Sequence, residues 1–361
     1  MELDVWGEDE GASLICREIQ DLTADVKTFL FEPMSPSLFQ HEPGQFVTLQ
    51  LQIDAQPVSR CYTISSPPTR PFLLSITVKR QPGGLVSNWL HDTLRPGAMI
   101  RVDGPFGSFT PGSSVAGSYL FLSAGSGATP LMSMTRTSFD LSSGGDIVYV
   151  HSARTPADIL FRRELEHLTN LSPRIAVHHV CEADAIGERW NGFRGRLTPQ
   201  MLGLIAPDLH RRQIYCCGPA PYMAAVRAML GDLGYDISGY HEESFSFEKL
   251  PASEVAAVLD AESEEPTPAT PSGDVTYTIE FARSGRTITC RADEHILDAA
   301  HAAGMTPASS CGQGMCGTCK STMLSGTVDM QHQGGIRPRE IAANKVLLCC
   351  STPTSDLVID A

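Results

Sequence analysis

Ser309-Ser310-Cys311-Gly312-Gln313-Gly314-Met315-Cys316-Gly317-Thr318-Cys319 sets three cysteines in a C-x4-C-x2-C pattern, and a fourth lies beyond it in Val346-Leu347-Leu348-Cys349-Cys350-Ser351-Thr352-Pro353. Three thiolates from one loop and a fourth from a distant segment are the ligand set of a 2Fe-2S centre. The glycines between the cysteines suit a backbone that must wrap closely and take positive φ. Two other readings compete. A structural zinc site also uses four cysteines, but it pairs them in short clips, and here only Cys316 and Cys319 form one. A disulfide framework needs an oxidising compartment and gives no reason for the Gly-rich loop.

Upstream of this loop, Glu294 to Ala303 reads as an amphipathic helix, with Ile296, Leu297, Ala300 and Ala303 near helical spacing. Val275 to Phe281 and Arg286 to Arg291 alternate as a hairpin. Residues 248–273 differ in composition, with six acids, one lysine, four prolines and no aromatic residue. Such a stretch reads as an extended linker, with a reach of roughly 28 Å if it behaves as a flexible coil. A tether of that reach raises the local concentration of the C-terminal domain while leaving it able to turn to an outside acceptor.

Before the linker, Ser118-Tyr119-Leu120-Phe121-Leu122-Ser123-Ala124-Gly125-Ser126-Gly127-Ala128-Thr129-Pro130 reads as strand, Gly-rich turn and helix. It is a G-x-G-x-x-P variant of the dinucleotide loop, with Pro130 suited to a first helical turn. Strands at residues 146–153, 174–181 and 213–217 alternate with helical stretches after Thr129, Phe161 and Pro221, the pattern of a parallel sheet with helices on its faces. The turn Cys217-Gly218-Pro219 ends a strand at the carboxyl edge, where ligands of such sheets bind. Asp158, after the second strand, is placed to accept from a ribose hydroxyl and so favours NADH, whereas Arg154 would meet a 2'-phosphate.

From Ser13 to about Gly107 apolar and polar residues alternate between Gly and Pro turns, which predicts a small antiparallel barrel. In Arg60-Cys61-Tyr62-Thr63-Ile64-Ser65, the side chains of Arg60, Tyr62 and Ser65 are expected on one side, where guanidinium, phenol and hydroxyl would cradle a flavin. Gly83-Gly84 runs into a short helix whose first amides suit a pyrophosphate. Taken singly, a salt-bridged surface arginine and an ordinary loop before a helix explain the two motifs equally well.

Composition narrows the class. The chain has 361 residues, more than one core, with 27 Lys plus Arg against 41 Asp plus Glu. A formal charge of -14 argues against nucleic acid or an anionic membrane surface as a partner. No run of apolar residues is long enough to span a membrane, and the acidic start Met1-Glu2-Leu3-Asp4 is unlike a secretory signal, so a cytoplasmic location is expected. Apart from the four proposed ligands, Cys16, Cys61, Cys181, Cys216, Cys217, Cys290 and Cys350 read as small core residues or spectators.

Together, Arg-x-Tyr-Thr-x-Ser-Ser, Gly-Gly-x-x-Ser, Gly104-Pro105-Phe106-Gly107, Ala-Gly-Ser-Gly-x-Thr-Pro and Cys-Gly-Pro resemble the ferredoxin-NADP reductase superfamily. The appended Cys-rich domain is similar to a plant-type ferredoxin. In that segment of ferredoxins the ligand stands four residues before the proline, which selects Cys349 over Cys350 through Pro353. This combination over nearly the whole chain resembles the NADH-dependent reductase components of two-component Rieske oxygenases, in particular those of glycine betaine and stachydrine demethylases.

The resemblance implies an antiparallel β-barrel FAD domain (residues 1–112), an α/β parallel-sheet NAD domain (113–247), the linker (248–273) and a β-grasp 2Fe-2S ferredoxin domain (274–361). It also implies that Arg60, Tyr62, Thr63 and Ser65 hold the flavin, Gly84, Val86 and Ser87 its pyrophosphate, and Gly125, Gly127, Thr129, Cys217, Gly218 and Pro219 the nicotinamide nucleotide. Cys311, Cys316, Cys319 and Cys349 would hold the cluster. Glu242-Glu243-Ser244-Phe245 looks more like the FAD than the FMN group, with Phe245 as a cover for the flavin or adenine or, equally, an edge-strand core aromatic. The expected function is electron transfer from NADH through flavin and cluster to an oxygenase component, without a catalytic histidine. Another acceptor, such as a hybrid-cluster protein, is the second reading, and a redox sensor without turnover the third.

Overall fold

In the computed structural model the described residues are 4–6, 12–243, 275–305, 307, 309, 312, 314, 317, 319–332, 335–336 and 338–361. The linker, Phe245, Cys311 and Cys316 lie outside them. The chain divides into two compact units, Met1–Phe245 and Ser246–Ala361.

The first half of the larger unit contains β1 (Asp4–Trp6), β2 (Ala12–Thr23), β3 (Val26–Pro33), β4 (Ser37–Phe39), β5 (Phe46–Ile53), β6 (Gln56–Thr63), β7 (Leu74–Lys79), α1 (Leu85–Asp92) and β8 (Met99–Phe106). Antiparallel neighbours run in the order β6-β5-β8-β2-β3-β7. A bridge between Ile64 and Ile76 then joins the two outer strands and closes the barrel. Alternation places Phe29, Phe31, Leu49, Ile64 and Ile76 wholly inside. Each such large side chain contributes about 1.5–3 kcal/mol by leaving water.

The second half contains β9 (Ser118–Ala124), α2 (Ala128–Leu141), β10 (Asp146–Ala153), α3 (Arg162–Leu171), β11 (Ile175–Cys181), β12 (Phe193–Arg194), α4 (Pro199–Ile205), β13 (Gln213–Cys217), α5 (Ala220–Asp232) and β14 (Tyr240–Glu243). All neighbours are parallel, in the order β12-β11-β10-β9-β13-β14. Parallel sheets need both faces covered, which explains the nearly uninterrupted apolar run of β9. Tyr119 and Phe121 pack on one face with Leu131 of α2 and Leu165 of α3. Leu120 and Leu122 pack on the other with Leu202 of α4 and Val226 of α5. At the amino edge the buried Arg212 binds Asp146 and Asp208 at 3.0 and 2.8 Å and the Tyr119 carbonyl at 3.2 Å, fixing where β9 and β10 begin.

The smaller unit contains β15 (Thr276–Phe281), β16 (Arg286–Arg291), α6 (Ile296–Ala302), β17 (Lys320–Ser325), β18 (Val328–Met330), α7 (Pro338–Ala342), β19 (Lys345–Leu347), β20 (Ser351–Pro353) and β21 (Leu357–Asp360). Its main sheet runs β16-β15-β21-β17-β19, and β18 pairs with β20. Ile296, Leu297 and Ala300 of α6 are buried against Ile279, Phe281 and Ile359 of the sheet, as the helical spacing predicted. The three-domain fold class read from the sequence is the one observed. The short helix α4 lies outside the helical stretches expected from the sequence.

Candidate functional site

Strand β6 ends where the barrel closes, so its motif sits at the seam. Arg60 and Tyr62 are half-buried on one side of it, and burial pushes the Tyr62 phenol up. Arg60 donates to the Ser59 carbonyl at 2.8 Å. Thr63 is buried, and its Oγ1 finds no hydrogen-bond partner among the described residues. Such an orphaned group is what a bound flavin edge would satisfy.

Ser65 corrects the expectation of a shared face. Period-two alternation from Arg60 and Tyr62 reaches Ile64, so it sets Ser65 on the opposite side, with the buried Cys61 and Thr63. The Ser65 hydroxyl is fully buried beside Ser75 and Thr77, with Oγ distances of 2.9 and 3.0 Å. It serves the seam of the barrel and does not stand beside Arg60 and Tyr62.

Helix α1 opens with Gly84 as its N-cap, and Gly83 before it has φ +71°. Val86 and Ser87 are buried in its first turn, and Ser87 Oγ accepts from the Gln81 amide at 3.1 Å. The first amides of a helix have no partner within it, so this end keeps the donors that a pyrophosphate requires.

The two nucleotide motifs meet. Gly125–Gly127 forms a 3-10 turn with Gly125 at φ +53°, and it runs into α2. A Cβ on Gly127 would fall 2.0 Å from the Cys217 carbonyl oxygen and 2.7 Å from the Gly218 amide nitrogen. Only glycine allows this approach of one backbone to another. Thr129 is buried and its hydroxyl donates to the Ser126 carbonyl at 3.1 Å, holding the turn. Pro219 is the N-cap of α5.

Asp158 lies farther along the same edge in a capping box. Its Oδ2 accepts from the Thr155 amide and hydroxyl at 3.0 and 2.7 Å, and Arg154 approaches its other oxygen at 3.7 Å. Its carboxylate therefore already has structural work to do. Arg154 also reaches Asp25 of the barrel at 3.6 Å.

Glu243 stands at the end of β14 beside Cys217, a position for which no sequence motif assigns a role. It is 5% exposed, and its Oε2 has no hydrogen-bond partner among the described residues. Burial, aided by the neighbouring Cys61 of the barrel, pushes its carboxyl up to about 8, so it keeps its proton at neutral pH. Burial likewise raises the Cys217 thiol well above its ordinary value. The sequence signal was faint: an acidic pair closing a strand that feeds a ligand edge.

The histidines near the motifs have structural partners. His91 Nε2 meets the Val78 carbonyl at 3.0 Å, His151 Nδ1 meets Ser123 Oγ at 2.8 Å, and His241 stacks on Tyr215 at 4.6 Å. Burial drops His151 to about 3, which leaves it neutral.

In the smaller unit, Cys319 is buried just before β17 and Cys349 lies on a 3-10 turn between β19 and β20. Gly312, Gly314 and Gly317 have φ of +68°, +67° and +70°, the backbone wrap for which glycine was expected. The Gly314 amide donates to Cys349 Sγ at 3.2 Å, whereas Cys350 Sγ points to the Leu347 carbonyl at 3.8 Å. An amide aimed at sulfur suits a thiolate, the form in which Cys349 would ligate a cluster.

Comparison with known proteins places these features. Residues 13–110 match the oxidoreductase FAD-binding domain family, 121–228 the oxidoreductase NAD-binding domain family and 279–354 the 2Fe-2S iron-sulfur cluster binding domain family. The chain is 46% identical over 345 residues to a glycine betaine monooxygenase reductase subunit of Pseudomonas aeruginosa, covering 96% of this chain and 94% of that one. It is 40% identical over 360 residues to a stachydrine N-demethylase reductase subunit of Rhizobium meliloti, covering 100% and 99%. Among solved structures, phthalate dioxygenase reductase has the same fold, with a TM-score of 0.57 at 24% identity over 98% of this chain and 99% of that one. With FAD, NAD and 2Fe-2S domains in this order, the chain belongs to the family of flavin and iron-sulfur oxidoreductases that serve as reductase components of oxygenase systems.

Proposed function

We propose that this reductase serves an oxygenase that acts on a betaine-like N-methyl compound. The reading of the acceptor rests on full-length similarity to the glycine betaine and stachydrine reductase subunits. The reading of the site rests on one observation, the contact of Gly127 with Cys217–Gly218 beside the buried acid Glu243.

A bound FAD would supply two-electron acceptance from NADH with one-electron release, and a bound 2Fe-2S cluster one-electron transfer toward the oxygenase component. The protein supplies position. Arg60, Tyr62 and Thr63 bind the flavin at the barrel seam, with Ser65 supporting the strand end. Gly84, Val86 and Ser87 present the start of α1 to its pyrophosphate. Gly125, Gly127, Thr129, Cys217, Gly218 and Pro219 form the nicotinamide nucleotide site at the carboxyl edge of the sheet, with Asp158 toward the ribose. Glu243, neutral and with its Oε2 unpartnered among the described residues, offers a hydrogen-bond donor beside the Cys217 turn. Phe245, outside the described residues, keeps its sequence reading as a cover for the flavin or its adenine, or equally an edge-strand core aromatic. Cys311, Cys316, Cys319 and Cys349 hold the cluster. The domain boundaries at 112, 247 and 273 enclose the three family matches. We assign the protein to the cytoplasm. No helix of the described residues is long and apolar enough to cross a membrane.

The test begins with anaerobic titration by NADH, following the visible spectrum and the paramagnetic signal of the cluster. Flavin bleaching followed by a reduced 2Fe-2S signal is expected. Purified oxygenases are then mixed with protein and NADH, with glycine betaine or stachydrine as substrate. Substrate-dependent NADH oxidation with release of formaldehyde supports the assignment. Electron delivery to a hybrid-cluster protein and to none of the oxygenases refutes it.

A further inference from the structure

Helix α2 starts at the Gly125–Gly127 turn and runs along the barrel. Ser133, Arg136 and Asp140, spaced three and four apart, lie on the face it turns to the barrel. Ser133 Oγ donates to the Ser66 carbonyl at 2.8 Å, and Arg136 Nη1 donates to the Ser65 carbonyl at 2.5 Å. Asp140 accepts from Arg70 Nε and Nη2, both at 2.8 Å, and from Thr69 Oγ1 at 2.5 Å. The segment 65–70, which leaves the barrel directly after the Arg60–Thr63 motif, is thus bonded to the helix at three levels.

Arg136 is itself held from the other side. Its Nε and Nη2 form a two-point pair with Glu164 of α3 at 2.7 and 2.6 Å, and its guanidinium lies 5.0 Å from the centre of the Phe161 ring. Its side chain is 12% exposed. A planar guanidinium fixed by a carboxylate and a ring is a stiff strut, whereas a flexible ammonium in its place would have neither the second bond to Glu164 nor the stacking. One rigid helix therefore carries the nucleotide turn at its start and grips the end of the flavin-motif strand two turns later.

We infer that Arg136 and Ser133 are positioning residues for electron transfer from NADH to the flavin, setting through α2 the separation between the two bound rings. This rests on the reading of Arg60–Thr63 as flavin site and Gly125–Thr129 as nucleotide site. In the step they serve, two electrons and a proton pass from NADH to the flavin, leaving NAD+. Neither side chain takes part in that chemistry. Displacements near 1 Å cost such a transfer about 100-fold, because reacting atoms must sit within a narrow range.

The test uses the full chain loaded with flavin and cluster, in rapid-mixing experiments with NADH and with NADH deuterated at the transferred position. Arg136→Gln is expected to lower the limiting rate of flavin reduction about 10- to 100-fold with NAD+ affinity unchanged, and to expose a full isotope effect. Arg136→Lys, which keeps a donor for the Ser65 carbonyl, should recover part of that loss, and Ser133→Ala should lose a smaller part. If Arg136→Gln does not fold, Ser133→Ala and Glu164→Gln carry the measurement. A limiting rate equal to that of the unaltered protein overturns the inference, and so does weaker NAD+ binding with the rate preserved. Gly127→Ala separates the two readings. If it too leaves reduction unchanged, the nucleotide-site reading fails; if it slows reduction while the α2 variants do not, the strut alone fails.

Discussion

Gly127→Ala should nearly abolish reduction of the flavin by NADH while leaving both cofactors bound. An added methyl carbon would stand 2.0 Å from the Cys217 carbonyl oxygen, and side-chain carbons do not approach other atoms closer than 3.0 Å. At least about 1 Å of movement must therefore appear in the Gly125 turn or the Cys217–Gly218 turn. Both are backbone, so no side chain can swing aside. Overpacking of this kind costs about 1–3 kcal/mol of stability, which a large core tolerates. Its effect on geometry is greater, since about 1 Å at the reacting centre corresponds to roughly 100-fold in rate. The assay is anaerobic stopped-flow reduction of the flavin by NADH, with dithionite reduction as the control for an intact flavin and cluster. A Gly127→Ala protein reduced by NADH within a few-fold of the normal rate would refute the reasoning. Gly231→Ala is the matched control. Gly231 lies within α5 with nothing within 4 Å of an added Cβ, so the change should leave the rate alone and raise stability by up to about 1 kcal/mol.

Cys349→Ser should lose the cluster's visible and paramagnetic signals, whereas Cys350→Ser should keep them; the opposite result would reassign the fourth ligand. Stability of the larger unit, followed by its thermal transition, should peak near pH 6.5. Below that pH the unfolded chain binds protons that the buried histidines, at about 3 for His151 and about 4 for His41 and His179, refuse when folded, so acid destabilises. Above it, Glu243 keeps its proton in the fold up to about 8 while the unfolded chain has lost it, so stability falls by about 1.4 kcal/mol per pH unit until that value is passed. Glu243→Gln should flatten the alkaline limb and steepen the acid limb between about 4.5 and 6.5, because Glu243 loses its proton in the unfolded chain from about 4.5 upward and opposes the histidines there.

The sequence by itself determined the element types and the motifs, because these depend on short-range chemistry. The continuous apolar run 119–122 and the helical spacing of Ile296, Leu297 and Ala300 each report burial, whereas the alternation of residues 74–78 marks a strand but not its faces, since Ser75 and Thr77 are buried as well. Cysteine spacing in the 311–319 loop was legible for the same reason, since ligands of one loop must be close in sequence. Tertiary structure decided what depends on distant segments meeting. Ser65 lies opposite Arg60 and Tyr62 by simple alternation, but its partners Ser75 and Thr77 come from the closure of the barrel at Ile64 and Ile76, which no local pattern announces. Asp158 became a cap because Thr155 starts a turn there. Gly127 owes its necessity to a carbonyl 90 positions away in the chain, at Cys217. Glu243 is proton-bearing only because β14 ends inside the unit beside Cys61 and Cys217; in isolation it would be an ordinary carboxylate. Arg136 gave no motif at all, and its role follows from α2 lying between the Ser65 carbonyl and Glu164, which only the folded packing brings within reach of one guanidinium.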